Sequence, residues 1–160
     1  CRDRLATYAY ILPEASATKK VTGQRGGKLP RMSVCPCGGL PAGAPFEQCC
    51  GPAVRNERWP VTAEALMRSR YTAFATGDDD HLFRTWHPAH RPADTASDPR
   101  VEWTGLTIVR TEAGGEDDAA GTVEFEANYR GPDGPGVLRE NSRFARRAGR
   151  WFYAAPVEDA

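Results

Sequence analysis

The sequence predicts an α+β fold, in which helices precede an antiparallel sheet, behind a short segment rich in cysteine. Between residues 60 and 88, apolar side chains recur every three or four positions, which is the period of an amphipathic helix. From residue 101 to residue 153, apolar and polar side chains alternate, which is the period of a half-buried strand. Helices followed by a run of strands are typical of a domain whose sheet folds round its helices.

The bulk composition excludes several classes of protein. The chain has 160 residues, which is enough for one hydrophobic core and a small appendage. Its 21 Lys and Arg residues balance 21 Asp and Glu residues, so no overall field attracts nucleic acid or anionic lipid. No apolar run approaches the roughly 18 residues that a membrane helix needs. Because the cysteines cluster instead of spreading through the chain, we expect reduced thiols and a cytoplasmic protein.

Three segments are expected along the chain. Residues 1–31 contain seven Lys and Arg residues against two acidic ones, with no sustained hydrophobic period, so they are expected to be a disordered or non-native leader. Residues 32–56 hold the cysteine cluster, and residues 57–157 hold the predicted helices and strands.

The cysteine cluster has the ligand types of a metal site. Cys35 and Cys37 flank one proline, and eleven residues later Cys49 and Cys50 are adjacent. Four thiolates on two short arms suit tetrahedral zinc, and a four-thiolate site is closed, so the ion would be structural. A pair of disulfides stays open as the alternative.

The first helix is expected to begin after Thr62, whose hydroxyl suits an N-cap, and to end at Gly77. A second, shorter helix is expected to begin at Asp78 or Asp79 and to end before Pro88. Its inward side chains are expected to be Leu82, Phe83 and Trp86. We expect His81 and His90 to be solvated, because their neighbours in the sequence are polar.

Four strands are expected after the helices. The alternation places them at about 103–111, 123–129, 137–146 and 151–153. Gly105 is expected at a bulge or bend, and the glycine-rich segment 131–136 at the turn between the second and third strands. Two or three helices packed on a curved antiparallel sheet follow from this order of elements.

Several stretches of the sequence resemble one family. The run from CPCGG to FEQCCG resembles the SEC-C motif, the zinc knuckle also found at the tail of the bacterial protein-translocation motor. The stretches TAEALMRSRYTAF, TWHP, WTGL, GTVEFEANY, LRENSRF and GRWFY, in that order, resemble the YchJ family. The resemblance implies a cone-shaped domain similar to nuclear transport factor two behind the knuckle. The interval from Cys37 to Cys49 looks longer than in the usual motif, with residues 41–45 as the insertion.

A cone of this type often encloses a pocket, and the third strand carries a carboxylate toward it. Leu138, Glu140, Ser142 and Phe144 share one face, so Glu140 is expected inside with the apolar residues. A buried carboxylate needs a partner, and an arginine of the first helix is the natural one. The candidate pocket residues are Arg68, Arg70, Tyr71, Trp86, His87, Trp103, Glu140 and Ser142. Two interpretations remain open: a structural Glu–Arg pair, or a ligand pocket in which Glu140 or His87 could act as general base.

Two functions therefore compete. The SEC-C resemblance implies a zinc-stabilised module that docks a protein partner, because the translocation motor's knuckle recruits a chaperone. The alternative is a small-molecule-binding protein, or a lyase or isomerase, that uses the interior of the cone. Nucleic acid is a weaker third, supported only by the basic leader, and a homodimer through the outer face of the sheet is a further expectation.

Overall fold

The computed structural model describes residues 33–157, and the predicted leader, residues 1–31, lies outside them. A 3₁₀ turn at Phe46–Gln48 and a one-turn helix α1 at Gly51–Val54 follow the first cysteines. The larger helices are α2, Ala63–Thr76, and α3, Asp79–Thr85. The strands are β1, Glu102–Ala113; β2, Ala120–Gly131; β3, Gly134–Arg147; and β4, Arg150–Pro156.

Helix α2 has the ends that its sequence predicts. The Thr62 hydroxyl accepts a hydrogen bond from the Ala65 amide at 3.1 Å, which satisfies one of the amide groups that a helix N-terminus leaves free. Gly77 ends the helix with φ of 71°, a left-handed conformation that favours glycine. Leu66, Met67 and Tyr71 are buried, as expected.

The side chains of α3 face inward as predicted, with one exception. Asp78 caps it by accepting from the His81 amide at 2.9 Å. Leu82 and Trp86 are buried, but Phe83 is 48% exposed, so its predicted inward position is wrong. Adjacent residues of a helix point about 100° apart, so only Leu82 of this pair faces α2. The guanidinium of Arg91 covers the Phe83 ring at 3.7 Å from its centre.

The four strands form one antiparallel sheet in the order β1-β2-β3-β4. The register of β1 on β2 shifts between Trp103 and Gly105, where a bulge is predicted, and again between Ile108 and Arg110. Such bulges bend a strand and increase its twist. The outer face carries cross-strand ion pairs, such as Arg139 with Glu126 at 3.1 Å.

One core joins all the described elements. Helix α2 contacts β1, β2 and β4 on one side and α1 and α3 on others. The core residues from the sheet include Val123, Phe125, Phe144 and Trp151, all less than 3% exposed. Within residues 33–157, no helix has both the length and the apolar character needed to cross a membrane.

Replacing Thr62 with alanine removes the cap of α2. We expect Thr62→Ala to lower the free energy of unfolding by about 1 kcal/mol, measured by urea denaturation. Thr95→Ala is the control, because Thr95 lies in the loop after α3 and its side chain has no hydrogen bond within the described part of the chain. Equal losses in the two variants would contradict the role of the cap.

Candidate functional site

The four clustered cysteines converge on one point. The Sγ atoms of Cys35 and Cys37 lie 3.5 Å apart, those of Cys37 and Cys49 3.6 Å, and those of Cys49 and Cys50 3.7 Å. All four sulfurs lie within 4.8 Å of one another. The cysteines are free thiols, so the alternative of two disulfides is wrong.

These separations fit a tetrahedral metal ion. Metal–sulfur bonds of about 2.3 Å place the sulfurs of a tetrahedral site about 3.8 Å apart, close to the 3.5 to 3.7 Å observed. Three of the four side chains are buried and Cys49 is partly exposed, so the sulfurs face one another more than water. The residues present can therefore hold a metal ion, with no other ligand needed to complete the coordination.

The loop between the two cysteine arms folds back through backbone hydrogen bonds. The Cys35 amide donates to the Ala44 carbonyl at 3.0 Å, and Val34 forms a bridge with Pro45. Gly39 allows this close approach, because a Cβ there would lie 2.4 Å from the Ala44 nitrogen. The longer interval between the arms is thus accommodated within a compact turn.

The thiols perturb one another electrostatically. The pKa of Cys35 lies far below its ordinary range, chiefly because Cys37 hydrogen-bonds its sulfur, and the pKa of Cys37 is lowered to about 7. The pKa values of Cys49 and Cys50 are raised well above the ordinary value, and the largest cause is their side-chain interaction with Cys35. Four thiolates therefore repel one another unless a cation lies between them.

The cysteine knuckle, residues 33–56, is held tightly against the helices. Arg68 of α2 donates to the Cys37 carbonyl at 3.1 Å, and the Thr72 hydroxyl lies 3.7 Å from the Cys35 sulfur. Arg84 of α3 donates to the carbonyls of Ala53 and Val54 at the end of α1. The knuckle therefore packs directly on α2 and α3.

His81 is buried, so the expectation that it is solvated is wrong. The side chain of Arg84 can only donate, so its contact with His81 Nδ1 at 3.0 Å makes Nδ1 the acceptor and leaves the proton on Nε2. Nε2 then donates to the Ser69 hydroxyl at 2.9 Å, which donates to the Leu66 carbonyl at 2.8 Å. Burial lowers the pKa of His81 to about 3, so the ring stays neutral and joins α3 to α2.

Glu140 lies on the inner face of β3, as the strand parity predicts. Its Oε1 accepts from the Ser142 hydroxyl at 2.6 Å and from the Tyr153 hydroxyl at 3.0 Å. Burial raises the pKa of Glu140, while these two donors and the charge of Arg70 act in the opposite direction. The carboxylate therefore has polar partners in the interior.

Arg70 is the arginine that faces Glu140 from α2. It is 2% exposed, and its Nη1 donates to the Leu82 carbonyl at 3.1 Å and to the Thr85 hydroxyl at 2.8 Å. Its guanidinium lies over the rings of Trp86 and Tyr153, at 4.9 and 4.7 Å from their centres. We call Arg70, Trp86, Glu140, Ser142 and Tyr153 the interior cluster.

The other predicted pocket residues lie around this cluster or away from it. Tyr71 packs edge-on against Trp103 with ring centres 6.0 Å apart. Arg68 points to the knuckle, where it also pairs with Glu64 at 2.8 Å. The ring of His87 packs against His90 and Phe152, while its amide donates to the Tyr153 carbonyl at 2.7 Å. The structure thus brings Arg70, Trp86, Glu140 and Ser142 together, and turns Arg68 and His87 elsewhere.

Tyr153 is the central residue that the sequence analysis did not select. It contacts Glu140 through its hydroxyl and Arg70 through its ring. Its alternation with Trp151 on the fourth strand was a usable signal, because both side chains must then face the core. Which inward residue of β4 meets Glu140 depends on the register shift between Arg143 and Phe144, which no local pattern reveals.

The fold and the site define a class: a small α+β domain behind a cysteine knuckle that is able to hold a metal ion. Residues 62–156 match the family described as YchJ, middle NTF2-like domain. The chain belongs to this family, which confirms the resemblance to YchJ proteins.

The sequences of related proteins match most of this chain. A UPF0225 protein of Streptomyces avermitilis is 48% identical over 124 residues, which is 78% of this chain and 84% of the relative. Another, from Deinococcus radiodurans, is 45% identical over 130 residues, covering 81% and 92%. None of these names assigns an activity.

Two solved structures share the architecture. The solution structure of a SEC-C motif containing protein from Rhodopseudomonas palustris has a TM-score of 0.67 and 30% identity, covering 79% of this chain and 98% of that one. The crystal structure of a SEC-C motif containing protein from Psychrobacter arcticus has a TM-score of 0.65 and 24% identity, covering 81% and 85%. At 24% sequence identity, the similarity to the second structure concerns the fold alone.

Metal retention should depend on pH, because protons compete with the ion for the thiolates. We expect the chain to hold one metal ion at neutral pH and to release it as the pH falls from about 7.5 to about 4, measured by native mass spectrometry. The double variant Cys35→Ser, Cys49→Ser should hold none, whereas Val137→Ser, at an exposed position of β3, should behave as the original. Retention of the ion by the double variant would contradict the assignment.

Proposed function

We propose that this protein is a zinc-stabilised docking protein, whose knuckle presents an apolar surface to a protein partner. The observation that carries the proposal is the combination of a closed four-cysteine site with exposed aliphatic side chains beside it. Val34 is 58% exposed and Leu40 is 43% exposed, and both belong to the knuckle that holds the buried Cys35 and Cys37. Phe46, in the same knuckle, is buried.

Zinc is the ion that this donor set favours. Four thiolates are soft ligands that suit zinc, and they leave no open position at which water could be activated. The SEC-C description of the structural neighbours supports the same choice. Element-resolved mass spectrometry of the protein at neutral pH, before the acid titration, should therefore give one zinc per chain.

Rigidity favours a docking role for the knuckle. Arg68, Thr72 and Arg84 tie its backbone and sulfurs to α2 and α3, so its exposed side chains are held in place before any partner arrives. A surface that is already ordered loses less conformational entropy on binding. A closed metal site contributes stability in the same way, without taking part in chemistry.

Site-specific photo-crosslinking tests this function. The full chain would carry a benzophenone amino acid at position 40, on the knuckle, and in a second variant at position 137, where Val137 is 49% exposed on the sheet. In bacterial cells we expect a discrete crosslinked protein from position 40 and none of the same mass from position 137, measured by gel shift and mass spectrometry.

The metal site supplies the control for the crosslinking experiment. Adding Cys49→Ser to the position-40 variant should abolish the crosslink, because loss of the ion loosens the knuckle. Identical products from positions 40 and 137, or no product from either, would contradict a docking role for the knuckle.

A second candidate function is the binding of a small polar molecule in the interior cluster. The observation that favours it is the indole Nε1 of Trp86, which is buried and has no hydrogen-bond acceptor within the described residues. An unpaired buried donor is costly, so an acceptor atom on a ligand would lower the free energy of this site. The neighbouring Glu140 carboxylate would accept from a donor on the same ligand.

Nuclear magnetic resonance of the indole groups tests the second candidate with internal controls. Trp59 and Trp151 donate their indole hydrogens to the Trp151 and Val61 carbonyls, at 2.9 and 3.0 Å. In a fragment library of small amides and amino alcohols, we expect some members to shift the Trp86 indole signal and to leave those two unchanged. The shift should disappear in Glu140→Gln. If no fragment moves the Trp86 signal selectively, the interior cluster is structural.

A further inference from the structure

A second surface feature lies where the knuckle meets α2. A cleft of about 280 Å³ has Cys49, Arg58, Trp59, Pro60 and Val61 among its lining residues. Its volume is below the roughly 300 to 1,000 Å³ of pockets for drug-sized ligands, so it suits one or two side chains of a peptide. Most of its walls are apolar, and no carboxylate is among its lining residues.

Two reciprocal hydrogen bonds hold one wall of the cleft in place. The segment that contains Trp59 and Val61 has no regular secondary structure, yet the Trp59 indole donates to the Trp151 carbonyl at 2.9 Å. The Trp151 indole donates back to the Val61 carbonyl at 3.0 Å. The Trp59 ring also packs on Phe152 with ring centres 5.4 Å apart. The wall is therefore preorganised, although Val61 is 53% exposed.

The rim of the cleft is positively charged. Arg58 lines it, and the guanidinium of Arg150 lies 5.0 Å from the centre of the Trp59 ring. Within residues 33–157, neither of these arginines has a carboxylate at ion-pair distance. The nearby acids Glu57 and Glu64 are already paired, with Arg55 and Arg68.

One lining residue of the cleft offers an acceptor. Cys49 is the partly exposed member of the metal cluster, and it lines the cleft. A thiolate sulfur bound to a metal ion accepts hydrogen bonds from amide groups, so a peptide N–H has a partner at this point. The cleft therefore combines an apolar slot, an amide acceptor and one lining cation, Arg58, with Arg150 beside the Trp59 ring of its wall.

We infer that this cleft binds an extended peptide segment of a partner protein, in which one aliphatic side chain fills the slot and a flanking Asp or Glu contacts Arg58 and Arg150. The inference rests on the proposed docking function and specifies the chemistry of the partner. Guanidinium groups pair with carboxylates through charge-assisted hydrogen bonds, and unpaired cations on the rim select against basic segments.

Binding of a set of synthetic peptides to the metal-loaded full chain tests the inference. The probes are acetylated hexapeptides with a central Leu or Val flanked by Asp or Glu, beside matched peptides in which the acids are replaced by Asn and Gln, or by Lys. We expect the acidic peptides to bind and the amide peptides to bind roughly tenfold more weakly, measured by fluorescence anisotropy, because the amide peptides lose the charge-assisted hydrogen bonds to the arginines.

Charge reversal provides the matched variants. Arg58→Glu and Arg150→Glu should each weaken the acidic peptides by about tenfold or more, and the double variant should bind the Lys peptides instead. Arg143→Glu is the control, because Arg143 is exposed on the sheet. Each variant must retain one metal ion per chain, which shows that the knuckle is still folded.

The outcomes separate this inference from the proposed docking function. If the acidic peptides have no advantage over the amide peptides, or if reversal at Arg58 and Arg150 changes affinity no more than reversal at Arg143, the cleft does not bind acidic segments. The crosslink from position 40 would then still decide whether the knuckle docks a protein. If both the crosslink and the peptide binding are absent, both proposals are overturned.

Discussion

The contact between the cysteine knuckle and helix α2 is the constraint on which the rest of the site depends. Arg68 and Thr72 lie one turn apart on α2 and reach the Cys37 carbonyl and the Cys35 sulfur, so one helical face contacts both cysteines of the first arm. Cys35, Cys37 and Cys50 belong to the same hydrophobic core as Leu66 and Met67. A metal ion bound there would therefore stabilise the whole domain, not a tethered appendage.

The same helix organises the interior through buried polar side chains. Ser69, Arg70 and Thr72 are each 2% exposed or less, which is costly unless each has hydrogen-bond partners. The partners come from different elements: His81 of α3 for Ser69, Thr85 of α3 for Arg70, and the knuckle for Thr72. Buried polar groups with unique partners allow few alternative packings, so these contacts specify how α3 and the knuckle lie on α2.

The interior cluster and the cleft differ in how many of their polar groups already have partners within the protein. The interior cluster lies where α2 meets β3 and β4, among groups that already satisfy one another except for the Trp86 indole. The cleft lies where α2 meets the knuckle, and its rim arginines have no acidic partner within the described residues. A ligand gains most where the protein leaves charge and apolar surface unpaired, and for this reason the cleft and the exposed aliphatic residues of the knuckle favour a macromolecular partner.

The sequence by itself determined the local elements and their inward faces. The helix ends at Thr62 and Gly77 and the inward parity of Glu140 follow from capping chemistry and from the alternation of a strand, which depend on neighbours along the chain. The approach of the four sulfurs also followed, because spacing and residue type limit what two short arms can do. Only the tertiary structure decided that Arg70 and not Arg68 faces Glu140, and that Tyr153 contacts both of these residues. The burial of His81 was likewise decided by the tertiary structure. Those facts depend on how elements far apart in the chain rotate and shift against one another, and a local pattern holds no information about that geometry.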